Sequence, residues 1–159
     1  EWNFNEDCEN AFNELKNKLI SRPILRQPDL TIPFILYTDA SGYAIGAILA
    51  QKDDKQNDYV VAYASRKLKG AEVHYGITEK ECLAVVWAVK HFRHYLYRTE
   101  YTVVTDHRAL LWLMSITEPV GRLARWANIL QGDRMKIIQP YYQSLDLLYL
   151  AVAVTYQRL

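Results

Sequence analysis

Neither sign of charge dominates this chain: 19 Lys and Arg stand against 18 Asp and Glu, a net charge of +1. A strongly basic groove cannot be read from that balance, so any nucleic-acid contact has to be argued from a local site. Cysteine is scarce. Cys8 and Cys82 lie far apart, each in a helix-like segment, which argues against a disulfide framework and for a reducing compartment. No apolar run approaches the length of a membrane span. The most apolar stretch, Leu145 to Val154, contains Asp146. The opening Glu1-Trp2-Asn3-Phe4 has neither a basic region nor an apolar core and does not read as a signal peptide. There is no Gly-rich phosphate loop, no Gly-x-Ser-x-Gly elbow and no Cys-His nucleophile pattern. His91 and His94 lack companions at zinc-ligand spacing and read as exposed helix residues.

Half of the residues are hydrophobic, enough for the core of one globular domain. Asn5 is placed to cap a helix from about Glu6 to Ile20, with Cys8, Phe12, Leu15 and Leu19 as its apolar face. Arg22-Pro23 ends it, and the prolines from Pro23 to Pro33 predict an extended connector. Strands are expected at Phe34–Thr38, Tyr43–Gln51 and Tyr59–Ser65, an antiparallel meander. The acidic link from Asp53 to Asp58 lacks calcium-loop spacing and reads as a hairpin tip. Arg66 to Ile77 reads as irregular. A long helix follows, about Glu79 to Tyr97, with Cys82, Val85, Val86, Val89 and Phe92 as its buried stripe. Then come a strand at Tyr101–Thr105, a short helix at His107–Met114, a helix at Arg122–Leu130 and a strand at Met135–Ile138. The tryptophans and tyrosines fall mostly in apolar stripes and read as core.

A long helix between the third and fourth strands permits a crossover. The fourth strand can then lie parallel to the first. That order places Asp39 and Asp106 at adjacent C-terminal tips, where open α/β sheets usually hold their sites. Each acid also has a plain structural reading. Asp39-Ala40-Ser41-Gly42 is good turn chemistry. Thr78 and Glu81 have capping-box spacing, with Ile77 and Cys82 as a hydrophobic staple, and Glu79 competes for either role. Asp106 can simply cap the helix after it. The residues alone leave a shared acidic metal site and a set of separate caps both open.

Several motifs, in order, resemble one family. Phe34-Ile35-Leu36-Tyr37-Thr38-Asp39-Ala40-Ser41 is similar to the first motif of the ribonuclease H domain of gypsy-type LTR-retrotransposon polyproteins. Tyr63-Ala64-Ser65-Arg66-Lys67-Leu68 also resembles that domain. Tyr75-Gly76-Ile77-Thr78-Glu79-Lys80-Glu81-Cys82-Leu83-Ala84 resembles its second acidic motif, and Val103-Val104-Thr105-Asp106-His107-Arg108 its third. Arg122-Leu123-Ala124-Arg125-Trp126 is similar to a later helix. Ala11-Phe12-Asn13-Glu14-Leu15-Lys16 and Pro23-Ile24-Leu25 resemble the connector from the polymerase.

The resemblance implies a ribonuclease H-like α/β fold: a five-stranded mixed sheet of order 3-2-1-4-5 with helices on both faces. It divides the chain into a connector at 1–33, the domain at 34–138 and a diverged tail at 139–159. It implies hydrolysis of the RNA strand of an RNA–DNA hybrid at a two-metal site holding Mg2+, with Mn2+ as a substitute. Asp39, Glu81 and Asp106 would be the catalytic metal ligands, the Glu-x-x-Ala pattern at Glu81–Ala84 preferring Glu81 to Glu79. Ser41 and Arg108, beside motif acids, would contact substrate. The implied partners are the hybrid and the polymerase domain of a parent polyprotein, with no membrane. The implied setting is cytoplasmic, in a retroelement particle, or nuclear. The tail departs from the family. Its fourth acid should fall near Leu150 or Ala151, and neither is acidic. Asp146 is the only acid after Asp133 and the one candidate for a fourth metal ligand. A catalytically impaired scaffold or hybrid-binding domain is therefore the alternative reading.

Overall fold

Asn5 starts the first helix as its sequence position suggests. Its side chain accepts a hydrogen bond from the Cys8 amide at 3.0 Å, and α1 runs over Glu6–Ile20. The bond satisfies one of the amides that a helix start leaves without a partner. A computed structural model of the chain describes residues 5–21, 25–105, 113, 115, 120–131 and 134–138. Of the apolar face expected on α1, only Leu19 is buried, while Leu15 stays 47% exposed.

Five strands follow: β1 (Phe34–Ala40), β2 (Ala44–Lys52), β3 (Asp58–Lys67), β4 (Tyr101–Val104) and β5 (Met135–Ile138). They form one sheet of order β3-β2-β1-β4-β5. β1 pairs antiparallel with β2 and parallel with β4, and β4 pairs parallel with β5. The expected order is the observed one. Side chains alternate between the two faces of a strand, and the core divides accordingly. Phe34 and Leu36 of β1 join Ile45, Ala47, Leu49 and Val103 in the large cluster that includes the helices. Tyr37, Ile48, Ala50, Val60 and Val104 form a smaller cluster on the other face, against which Leu25 packs.

The acidic link between β2 and β3 is a hairpin tip. Asp53 accepts from the Lys55 and Asn57 amides, each at 2.9 Å, which ties its carboxylate into the turn. The stretch after β3, expected to be irregular, contains a 3-10 turn at Gly70–His74. Glu72 holds it to the sheet. Its carboxylate receives both Arg66 guanidinium nitrogens, at 2.6 and 3.0 Å, and the Lys69 amide at 2.9 Å.

The long crossover helix is shorter than its pattern suggests and divides in two. α2 spans Ile77–His91 and α3 spans Arg93–Leu96. The break is at Phe92, whose ψ of 15° leaves the helical range while its ring stays buried. Burial on α2 exceeds a single stripe: Glu81, Leu83, Ala84 and Ala88 are buried along with the expected Cys82, Val85, Val86 and Val89. The extra burial arises because α2 packs on the sheet and also on α4 (Gly121–Gln131). Of the short helix expected over His107–Met114, only Leu113 is described, and it is helical and fully buried. Among the described residues no helix is long and apolar enough to cross a membrane.

One buried polar residue fastens the connector to the sheet. Gln51 is fully buried at the end of β2. Its amide nitrogen donates to the carbonyls of Asp29 (2.6 Å) and Ile32 (3.0 Å). Its amide oxygen accepts from the Asp29 backbone (2.9 Å) and from the Tyr59 hydroxyl (3.0 Å). All four bonding positions of the side chain are used. Gln51→Ala leaves these groups buried or partly buried with their bonds unmade. It is expected to lower the unfolding free energy by about 2–4 kcal/mol in urea titration, and an effect below about 0.5 kcal/mol rejects the fastening role.

The core also sets a response to alkali. Burial pushes the Cys82 thiol up to about 11, helped by the Glu81 and Glu79 charges. A thiol whose folded value lies above its unfolded one keeps its full contribution below about pH 8.5 and loses it as pH rises through the folded value. Stability is therefore expected to fall from about pH 9 to about 11, and Cys82→Ala should flatten that part of the profile. An unchanged slope in the variant counts against the assignment.

Candidate active site

Asp39 lies inside β1, not in the turn after it. It stands opposite Gly46 of β2, and Gly46 stands opposite Ser65 of β3. Cross-strand partners on one face are near neighbours, so the row beside the Asp39 carboxylate is a glycine and a serine. No bulky side chain from β2 crowds it. Asp39 itself is partly buried. By alternation it belongs with Ile35 and Tyr37, on the face of β1 away from the α2 cluster.

The turn begins two residues later, at Ser41. The Ser41 amide donates to the Ala44 carbonyl at 2.8 Å. The Ser41 hydroxyl accepts from the Tyr43 and Ala44 amides, at 3.2 and 2.9 Å, and donates to the Ala44 carbonyl at 3.1 Å. The turn chemistry expected of this stretch therefore belongs to Ser41, and its hydroxyl is committed to closing the β1–β2 connection. Gly42 follows with open space around its α-carbon. The Lys80 ammonium donates to the Gly42 carbonyl at 3.3 Å. That bond ties the first turn of α2 to the sheet edge where β1 ends.

The two acids at the start of α2 have separate work. The helix begins at Ile77 with Gly76 as its cap, two residues earlier than a Thr78 cap requires. Glu79 is then the residue whose carboxylate reaches back, accepting from the Gly76 amide at 3.2 Å. Its other oxygen receives Arg122 of α4, from Nε at 2.9 Å and from a terminal nitrogen at 2.6 Å. The Arg122 guanidinium also lies 4.0 Å from the centre of the Tyr75 ring. The capping-box role read for Glu81 is thus corrected: Glu79 performs it, clamped between the helix start and α4. Glu81, two residues on, is only 5% exposed. A carboxylate buried to that degree is costly unless charge or hydrogen bonds compensate it, which is the environment of a ligand or a structural lock and not of a solvated cap.

Thr38 and Thr105, flanking residues of the first and third motifs, are also buried, at 1% and 2% exposure. β1 and β4 are in register through Tyr37 and Val104, and the Thr105 amide donates to the Ile138 carbonyl at 3.3 Å. Asp106, Arg108 and Asp146 lie outside the described residues. Among the described residues no group of three His, Cys, Asp or Glu side chains is assembled for a metal. The Lys80–Gly42 bond joins α2, which carries Glu81, to the turn that follows β1, which carries Asp39.

Sequence reading missed the Glu79–Arg122–Tyr75 clamp and the Lys80 link. The available signal for the first was a glutamate three residues after Gly76, a cap type with no side-chain oxygen to reveal it. Nothing in the spacing of Lys80 and Gly42 marks the second.

Residues 29–132 match the family described as the RNase H-like domain found in reverse transcriptase. The retrovirus-related Pol polyprotein from transposon 297 of Drosophila melanogaster is 42% identical over 127 residues, covering 80% of this chain and 12% of that protein. The transposon Tf2-3 polyprotein of Schizosaccharomyces pombe is 39% identical over 140 residues, covering 86% of this chain and 10% of that protein. The chain therefore spans about a tenth of the length of the curated relatives it matches. Among solved structures, a foamy viral protease-reverse transcriptase in complex with double-stranded DNA matches with a TM-score of 0.69 at 17% identity, over 89% of this chain and 27% of that one. LC11-RNase H1 in complex with an RNA/DNA hybrid matches at 0.56 and 16% identity, over 79% of this chain and 99% of that one. These structural likenesses concern the fold, and the family match adds the rest: the chain belongs to the RNase H-like domains of reverse transcriptases.

Proposed function

We propose that this domain hydrolyses the RNA strand of RNA–DNA hybrids at a divalent-metal site built on Asp39, Glu81 and Asp106. The observation that carries the reading is the separation of roles on α2. Glu79 takes the cap and the Arg122 clamp, which leaves the buried Glu81 for the site. Asp39 supplies a second carboxylate, opposite a partner, Gly46, that carries no side chain. These are hard oxygen donors, the set that suits Mg2+ or Mn2+. When bound, a metal pair in such a site lowers the pKa of water and neutralises charge on a phosphodiester. Asp146 is the candidate for the fourth ligand.

The residues of the chain then do the following. Asp39, set in the middle strand of the sheet, fixes one oxygen donor without the freedom of a loop. Glu81 holds a second from the helix layer, and Lys80 keeps that layer against the β1–β2 turn. In the reaction, water oxygen bonds to phosphorus and the bond to the 3′ oxygen breaks. The products are a 5′ phosphate and a 3′ hydroxyl. Ser41 borders the site through its turn, and Arg108 is assigned to the substrate backbone. The polymerase of a parent polyprotein is the natural source of the hybrid, since a reverse transcriptase produces one.

The test is cleavage of an end-labelled RNA–DNA hybrid by the 159-residue chain in Mg2+ or Mn2+. RNA fragments ending in a 3′ hydroxyl are expected. Asp39→Asn and Glu81→Gln should each lower the rate by about a hundredfold or more, since each removes several kcal/mol of charge stabilisation. Glu79→Gln should retain cleavage within a few-fold and lose about 1 kcal/mol or less of stability, because its ion pair is partly exposed. Cleavage that survives Asp39→Asn rejects this site. Hybrid binding without any cleavage in either metal favours the impaired, hybrid-binding reading.

A further inference from the structure

The far end of α2 carries a feature that the acids do not account for. Lys90, Arg93, Tyr97, Arg98, Asn128 and Arg134 line an open cavity of about 560 Å³ between the α2–α3 corner and the end of α4. Four of these are cations, and among the described residues no acid lines the cavity. The ion pairs formed among the described residues use other cations. Four like charges brought together without a counter-charge among the described residues repel one another, so the arrangement gains from an anion.

Helix electrostatics explains only part of it. Lys90 is in the last turn of α2, where the helix dipole favours a cation. Arg134 is not on a helix; its carbonyl accepts from the Tyr101 amide at the start of β4. Arg98 is held in an unfavourable backbone state, with φ at 63°. It follows α3, where the chain turns and Thr99 closes the end by donating to the carbonyls of Tyr95 and Leu96. Glycine or asparagine is the usual residue in a left-handed position after a helix. The backbone gives no reason for arginine there. The ring beside it does: the guanidinium groups of Arg93 and Arg98 lie 5.6 and 5.2 Å from the centre of Tyr97, itself 54% exposed. One tyrosine orients two planar forks at the mouth of the cavity. Such forks match the oxygens of a phosphate.

We infer that this groove holds the phosphodiester backbone of a nucleic-acid duplex at a point remote from the acids. The choice of a duplex rests on the function proposed above; the need for an anion rests on the groove alone. Lys90 lies nine positions after Glu81, about 14 Å along the helix axis. That corresponds to about four phosphate steps on one strand. A duplex cut at the acids would thus be gripped a few base pairs away, which fixes its direction across the domain.

The test is fluorescence anisotropy with a labelled RNA–DNA duplex about two helical turns long, in EDTA, so that hydrolysis plays no part. Arg98→Gly is the informative variant, because glycine accepts the positive φ and the fold is retained. The expected result is several-fold weaker binding at low salt, a melting temperature equal to or above that of the parent, and a salt dependence shallower by about one ion. Adding Arg134→Ala should reduce the slope by about one more. Unchanged affinity and slope in a folded Arg98→Gly protein overturn the inference. A chain that cleaves hybrid while its binding ignores Arg98 refutes the groove alone. A chain that binds through Arg98 and never cleaves refutes the nuclease reading alone.

Discussion

The parallel pairing of β1 with β4 is the constraint on which the rest depends. Parallel neighbours cannot be joined by a tight turn, so the chain must leave the sheet and return. After β2 and β3, the 3-10 turn, α2 and α3 are the path it takes. α2 then has to lie across the sheet, and its burial on nearly every side follows from being held between the strands and α4. The same pairing aligns Tyr37 with Val104, so the two strands run out at the same edge. Asp39, two residues past that register position, therefore falls near that edge.

Much of this was legible because strong local patterns coincide with the tertiary arrangement. The bounds of α1 and β5 follow from a cap and from a short branched run. The sheet order follows from the crossover rule together with three strands joined by short links. The failures are equally local. Phe92 is apolar and continues the helical stripe, so nothing in the periodicity announces that its backbone leaves the helical range and separates α3 from α2. The amphipathic face of α1 was clear in the sequence, but a face says what can be buried and not whether a partner within the chain covers it. Leu15 remains exposed. Among the candidate site residues, Asp39 and Glu81 could be singled out by motif. Asp106 and Asp146 lie outside the described residues.

The strand assignment of Asp39 changes what kind of site it can serve. A carboxylate in a turn is carried by a segment that moves on its own. In β1 it is held by β2 through the Gly46 pairing, and β4 pairs with the same strand up to Tyr37, two residues earlier. Gly46 weakens β2 locally, since glycine gains least from being ordered in a strand. What it returns is the absence of a side chain next to the acid. Ser65 extends that low row to β3. An acid set in the strand, with no side chain on its cross-strand partner, is suited to holding a ligand whose position must not drift.

The start of α2 shows how a small error in a helix boundary becomes an error in chemistry. Residues on a helix are separated by about 100° each, so Glu79 and Glu81 point about 200° apart. One must face the helix start and the solvent side while the other faces inward. Which is which depends on where the helix begins. A cap at Thr78 puts the reach-back position at Glu81; a cap at Gly76 puts it at Glu79 and turns Glu81 into the core. The Lys80 ammonium, between them, settles the phase mechanically by holding the Gly42 carbonyl. With the middle residue anchored to the β1–β2 turn, the flanking glutamates cannot exchange places without breaking that bond and the Arg122 clamp together. The division between a structural carboxylate and a buried one is therefore a property of three consecutive residues and of two contacts made by other parts of the chain.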